Sequence, residues 1–311
     1  ALVCAGLATG ESDLHGVLFA DDTEAMLGGL HELGVGLTVD RAGSRVDVRG
    51  VAGTPPTAGA VLDARLSGTT SRFLLPVAAL GHATVVIDGD DPLRLRPMGD
   101  LLDALAGLGA AVDPLGSPGH LPVRLGADGL SGGQVVLRGD VSSQFLSGLL
   151  LAAPCMVDGL RVGLEGPLVS VPYVRMTLTV MAEFGARWRW DDDVISVEPG
   201  GYRSVDRYVI EPDASAASYF FAAAAITEGR VRVDGLGPDS LQGDVAFVDV
   251  LEAMGAHVER GTDYIQVTGT GELRDCGARS RARGEGDAEA APFQLSDSAL
   301  EALAGRVAAA R

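Results

Sequence analysis

The feature that most constrains this chain is internal repetition, because a repeated unit must find the same local fold each time. A helix-periodic segment that ends in a Leu-Gly or Met-Gly type of turn and runs into a strand occurs at residues 25–35, 101–111, 177–186 and 248–256. The matching glycines are Gly34, Gly109, Gly185 and Gly255, spaced 70 to 76 residues apart. Each sits where a helix C-terminus favours a residue tolerant of positive φ. Hairpin-like stretches follow at residues 45–48, 121–125, 194–197 and 264–267. An earlier helix recurs at residues 69–80, 142–153 and 215–226, and residues 1–7 read as the tail of its first copy. Strands follow it at 16–18, 84–88, 160–164 and 230–234. The consensus is helix, strand, helix, strand, strand, which linked end to end gives βαβαββ units in an α/β fold. Three units cover residues 1–208, the expected first domain. A fourth covers 209–270, an expected partial second domain. Residues 271–311 match no unit and read as a divergent linker, with one short amphipathic helix over 296–310 capped by Ser296 or Asp297.

Composition narrows the function. The 311 residues are 47% hydrophobic and 21% charged, as expected of a folded chain. A net charge of −18 argues against nucleic acid as a partner, which needs a basic footprint. Small anions are still allowed, since they respond to the local field of a cleft. Cys4, Cys155 and Cys276 make neither a disulfide framework nor a zinc pattern, so a reducing, cytoplasmic setting is expected. No membrane partner is expected: the apolar stretch 145–156 is too short to span and carries Pro154. Residues 1–10 lack a basic leader and do not read as a signal peptide. The chain opens without Met, inside an apparent helix, so an incomplete N-terminus is expected.

The starts of the recurring early helices point to anion binding. They read Ser67-Gly68-Thr69-Thr70, Asp140-Val141-Ser142-Ser143-Gln144 and Asp213-Ala214-Ser215. Small hydroxyl or glycine residues at a helix N-terminus leave unpaired N–H groups at the positive end of the macrodipole. Any one of these is an ordinary N-cap. Three at equivalent places in a repeated unit are expected to converge. Arg72, Arg94 and Arg96 add guanidinium groups suited to carboxylate or phosphate. A surface ion pair is the expectation for Arg94, whereas Arg96, just before Pro97, is better placed to reach a cleft. Asp21-Asp22-Thr23 is expected to cap a helix, the Asp191-Asp192-Asp193 run to sit in a hairpin turn, and the five histidines to be structural or solvent-facing.

These motifs resemble the 5-enolpyruvylshikimate-3-phosphate synthase (3-phosphoshikimate 1-carboxyvinyltransferase) family. The resemblance rests on Ser67-Gly68-Thr69-Thr70-Ser71-Arg72, Leu95-Arg96-Pro97-Met98-Gly99, Val141-Ser142-Ser143-Gln144-Phe145, Leu168-Val169-Ser170-Val171-Pro172-Tyr173, Pro212-Asp213-Ala214-Ser215-Ala216-Ala217-Ser218-Tyr219-Phe220 and Ser240-Leu241-Gln242-Gly243-Asp244. It implies the two-domain enolpyruvyl transferase fold, three βαβαββ units to a domain, with the second domain incomplete here. It implies transfer of the carboxyvinyl group of phosphoenolpyruvate to the 5-hydroxyl of shikimate 3-phosphate, by addition then elimination, in a monomer without metal or organic cofactor. Ser142, Ser143 and Ser170 would hold the shikimate phosphate and hydroxyls, Gln144 would touch both substrates, and Tyr173 would flank the ring. Gly68 and Arg96 would bind phosphoenolpyruvate. Arg72 and Asp213 look like interface or structural residues.

Some family features are not found. A Lys-Ser motif would precede Ala1, and two further units after Glu272 would supply an Asp, a Glu, a Lys and two arginines. Leu66 stands where many members have Asn. The catalytic residues are therefore unassigned, and activity of residues 1–311 alone is doubtful. The alternatives are an enolpyruvyl transferase with another acceptor, such as a nucleotide sugar, and a catalytically inactive anion-binding paralogue. The cell-wall branch usually carries a reactive Cys in the loop equivalent to 90–96, and this loop has none.

Overall fold

The repeat glycines act as expected at the helix ends. In a computed structural model that describes residues 1–140 and 142–275, Gly34, Gly109, Gly185 and Gly255 all have positive φ, between 87° and 107°. The N–H of the next residue returns to the last helical turn in every case: Val35 to Leu30, Ala110 to Leu105, Ala186 to Met181 and Ala256 to Leu251, each at 3.0 Å. This Schellman closure satisfies orphan carbonyls and turns the chain sharply. The returning residues Val35, Ala110, Ala186 and Ala256 are all buried, so the turn is also a core contact.

The helices are α1 (Leu2–Leu7), α2 (Asp21–Glu32), α3 (Gly68–Ala79), α4 (Asp91–Arg94), α5 (Gly99–Gly107), α6 (Ser143–Ala152), α7 (Val171–Glu183), α8 (Ala214–Ile226) and α9 (Phe247–Ala253). The second and third units each form a four-stranded sheet of one pattern. Ala60–Asp63 runs parallel to Thr84–Asp88, which pairs antiparallel with Val123–Gly126 and through it with Ala111–Pro114. Gly133–Arg138, Leu160–Glu165, Val194–Val197 and Trp188–Asp191 repeat that order. In the first unit the parallel outer strand comes from far along the chain. Tyr208–Val209 pairs with Glu11–His15, which continues to Arg45–Arg49 and Gly36–Asp40. The fourth unit has three described strands, Arg230–Asp234, Tyr264–Thr268 and His257–Arg260.

Two apolar clusters lie beneath these sheets. One joins the first three units and includes all of residues 145–152 apart from Ser147 and Gly148. The other belongs to the fourth unit, from Ala214 to Val267. Helices α3 and α6 approach closely, since a Cβ at Gly148 would stand 2.4 Å from the Arg72 carbonyl oxygen. No helix among the described residues is long and apolar enough to cross a membrane.

Three expectations are corrected. The first unit's strand is Glu11–His15, not 16–18; its alternation of buried Ser12 and Leu14 is masked by polar residues, and Gly16 leaves the strand at φ 74°. Asp21 and Asp22 do not cap α2. They lie in its first turn behind the N-cap Ala20, where carboxylates complement the macrodipole. The segment carrying Arg94 is a short helix, α4, within the expected loop. The helix expected at 296–310, and the linker beyond Asp275, lie outside the described residues. All described residues belong to one compact unit.

Candidate functional site

The site begins at the capped N-terminus of α3. Ser67 caps α3 by accepting from the Thr70 N–H at 3.1 Å, and Ser71 donates to the Gly68 carbonyl at 3.0 Å. Ser142 caps α6 more loosely, accepting from the Gln144 N–H at 3.3 Å. Ser170 occupies the N-cap of α7 without a side-chain cap bond, and Pro172 in the first turn removes one N–H from that end. The hydroxyls of Ser143 and Ser170 have no hydrogen-bond partner among the described residues.

The N-terminal turns of α3, α6 and α7 meet. The Gln144 side chain donates to Thr69 Oγ1 at 3.0 Å and accepts a short hydrogen bond from Arg72 Nη1. Thr69 and Gln144 are the second residues of α3 and α6, 75 positions apart, so this bond joins equivalent places in adjacent repeats. The Tyr173 hydroxyl lies beside Gln144 and Thr69. Burial raises its pKa, while Gln144, the Arg72 charge and Thr69 oppose that rise.

Two guanidinium groups gather at the same point. A Cβ at Gly68 would stand 2.9 Å from Arg96 Nη1 and 3.4 Å from Arg72 Nη1. Arg72 stacks over the Phe145 ring, 5.1 Å from its centroid, and its buried Nε has no partner among the described residues. Burial, and then the charge of Arg96, push the Arg72 pKa down from its ordinary value. Neither guanidinium is bonded to a carboxylate among the described residues. Arg94, two positions before Arg96, is fully engaged: Nε and Nη2 reach Asp88 at 2.9 and 2.8 Å, and Nη1 reaches Asp91 at 3.1 Å. The chain as a whole is strongly acidic, yet this spot holds two cations facing one another. Such an arrangement favours an anion between them.

Of the three helix starts expected to converge, those of α3 and α6 bond one another directly, while Asp213, before α8, borders one cavity with Tyr173. Asp213 accepts from the Ala216 N–H at 2.9 Å, and Ser215 bonds Asp244. The motif 240–244 is spent on the same lock: Gln242 accepts from the Ala214 N–H at 2.8 Å and donates to Glu211 and to the Pro212 carbonyl, at 3.0 and 2.7 Å. The third member of the cluster is α7. Gly68, Arg96, Gln144 and Tyr173 lie together, Ser142 and Ser143 stand at the start of the helix that carries Gln144, and Ser170 starts the helix that carries Tyr173. Sequence reasoning put Thr69 in a converging helix start and Phe145 in a family motif without giving either a role, and read Arg72 both as an anion-suited guanidinium and, by resemblance, as an interface or structural residue. The 75-residue offset between Thr69 and Gln144 was the available signal. No group of three or more His, Cys, Asp or Glu that could hold a metal ion occurs among the described residues.

Known proteins resemble this chain over most of its length. Residues 1–281 match the family described as EPSP synthase (3-phosphoshikimate 1-carboxyvinyltransferase). The 3-phosphoshikimate 1-carboxyvinyltransferase of Nostoc punctiforme is 40% identical over 275 residues, which cover 88% of this chain and 65% of that protein. Its counterpart from Sulfurovum sp. is 42% identical over 276 residues, covering 88% and 64%. The solved EPSP synthase from Acinetobacter baumannii superposes with a TM-score of 0.70 at 27% identity, over 87% of this chain and 61% of that one. This chain thus spans 64 to 65% of the length of these curated relatives.

Proposed function

The chain belongs to the EPSP synthase family, and we propose that it serves the transfer of the carboxyvinyl group of phosphoenolpyruvate to the 5-hydroxyl of shikimate 3-phosphate. The observation that carries this reading is the pairing of two anion subsites side by side. Arg72 and Arg96 over Gly68 form one, suited to the carboxylate and phosphate of phosphoenolpyruvate. The N-termini of α6 and α7, with Ser142, Ser143 and Ser170, form the other, suited to a phosphorylated alcohol. Gln144 and Tyr173 stand at their junction.

In the proposed reaction the acceptor hydroxyl adds to C2 of phosphoenolpyruvate while C3 takes a proton. The tetrahedral adduct then loses inorganic phosphate and a proton from C3, restoring the vinyl group. The described residues bind and orient: guanidinium charge holds the donor, hydroxyls and helix N–H groups hold the acceptor, and proximity lowers the barrier. Residues 1–208 are read as the first domain and 209–270 as part of the second, in a cytoplasmic monomer.

Calorimetric titration with shikimate 3-phosphate tests the reading. Ser142→Ala with Ser143→Ala is expected to weaken binding at least about tenfold, the scale of one lost hydrogen bond to a charged group. Unchanged affinity in the folded double variant overturns the assignment of the acceptor subsite.

A further inference from the structure

Two buried hydroxyls join the helices that bear the acceptor subsite. Ser147 is 0% exposed and Thr177 is 7% exposed. Their oxygens are 2.9 Å apart, and Thr177 Oγ1 donates to the Tyr173 carbonyl at 3.0 Å. A hydroxyl has one hydrogen. Thr177 spends its own on Tyr173, so Ser147 is the donor to Thr177. Ser147 lies one helical turn after Ser143, and Thr177 one turn after Tyr173, so each is stacked behind a residue of the subsite.

We propose that Thr177 is a positioning residue for the acceptor, setting through Ser147 and Tyr173 the spacing between the N-termini of α6 and α7. The inference rests on the acceptor subsite proposed above. The other buried residues of these helices, among them Leu146, Leu149 and Leu150 on α6 and Val174, Leu178 and Met181 on α7, carry no polar side chain. Apolar contact is non-directional and tolerates sliding. A hydrogen bond has narrow distance and angular limits, so the hydroxyl pair supplies the register that leucines do not. Tyr173, Met176, Thr177 and Val180 also border a cavity of about 980 Å³. On that side α7 has room to shift, and the bond to Ser147 opposes the shift. A displacement of α7 would carry Ser170 and Tyr173 away from Ser142 and Ser143, so that one phosphorylated ligand could no longer meet all four.

The test compares Thr177→Val, Thr177→Ser and Ser142→Ala with Ser143→Ala in the 311-residue chain. It reads shikimate 3-phosphate affinity by calorimetry and unfolding midpoint by circular dichroism. Valine keeps the volume and removes the hydroxyl; serine keeps the hydroxyl and removes the methyl. Positioning predicts affinity about tenfold weaker for Thr177→Val, the scale of one hydrogen bond, and close to the parent for Thr177→Ser. A packing role predicts the reverse order, and that result overturns the proposal. Affinity unchanged in Thr177→Val but lost in the double serine variant also overturns it and leaves the subsite standing. If the double serine variant binds like the parent, the subsite itself fails and the proposal falls with it.

Discussion

The guanidinium of Arg96 rests against the backbone of Gly68, with Nη1 only 2.9 Å from where a Cβ would stand. The contact exists because residue 68 has no side chain, and because Arg96 is held by nothing else among the described residues. Gly68→Ala would therefore move a flexible arginine and not the backbone. Stability is expected to change by less than about 1 kcal/mol, on the scale of helix propensity. Affinity for phosphoenolpyruvate, measured with shikimate 3-phosphate present, is expected to fall about tenfold as the two-cation cradle opens. Full affinity in Gly68→Ala would remove Gly68 from the site.

All 24 basic residues counted as Lys plus Arg are arginine. Within residues 1–311 the permanently charged cationic side chains are therefore all guanidinium groups. Phenylglyoxal is expected to modify Arg96 early, since it is exposed and unpaired, and bound phosphoenolpyruvate should slow that modification. Peptide mapping by mass spectrometry reads the result. Equal labelling with and without the ligand counts against a role for Arg96.

Asp88 anchors the segment that delivers Arg96. Its carboxyl lies below the ordinary 3.8, chiefly because Arg94 hydrogen-bonds it. A depressed folded pKa contributes stability that is present above the unfolded value and lost as pH falls through the folded one. Asp88→Asn should therefore be less stable than the parent at neutral pH, with the gap closing as pH drops below 3.8. Urea midpoints across pH measure this, and a gap that widens in acid would contradict the ion pair.

Cys155 is pushed up to about 12 by burial and then by neighbouring Cys4, and burial raises Cys4 as well. Neither thiol is expected to form thiolate near pH 8 in the folded chain. Iodoacetamide should label both only after denaturation, as tracked by mass spectrometry. Native labelling of Cys155 at the rate of a free thiol would show that its packed surroundings open.

Gly148 lets α6 lie on α3. Its absent Cβ would meet the Arg72 carbonyl at 2.4 Å, a backbone atom that cannot rotate away. Gly148→Ala is expected to cost about 1–3 kcal/mol in urea unfolding, as overpacking does. The damage should reach the site too, because Arg72 and Gln144 bridge the same two helices. A stability equal to the parent would mean that the helices separate readily.

The repeat was legible because it is written in local terms. Gly34, Gly109, Gly185 and Gly255 end their helices by backbone conformation, a property of the residue itself. The cap roles of Ser67 and Ser142 were legible for the same reason. The strand at 11–15 was not, since Glu11, Asp13 and His15 carry a polar network on the sheet's open face, with Asp13 bonded to His15 and Arg45, and so obscure its alternation.

The sequence by itself determined the repeated unit, the residue types at the helix starts, and the acidic background against which two unpaired arginines stand out. The tertiary structure decided which of those starts meet. It brought Thr69 to Gln144 and Arg72 to Arg96, placed Asp213 on one cavity with Tyr173, and lent Tyr208–Val209 to the first sheet. The reason is physical. A cap or a helix end is settled by a few neighbouring residues, whereas a bond across 75 or more positions depends on how apolar faces pack. Packing is non-directional until polar groups such as Ser147 and Thr177 fix its register.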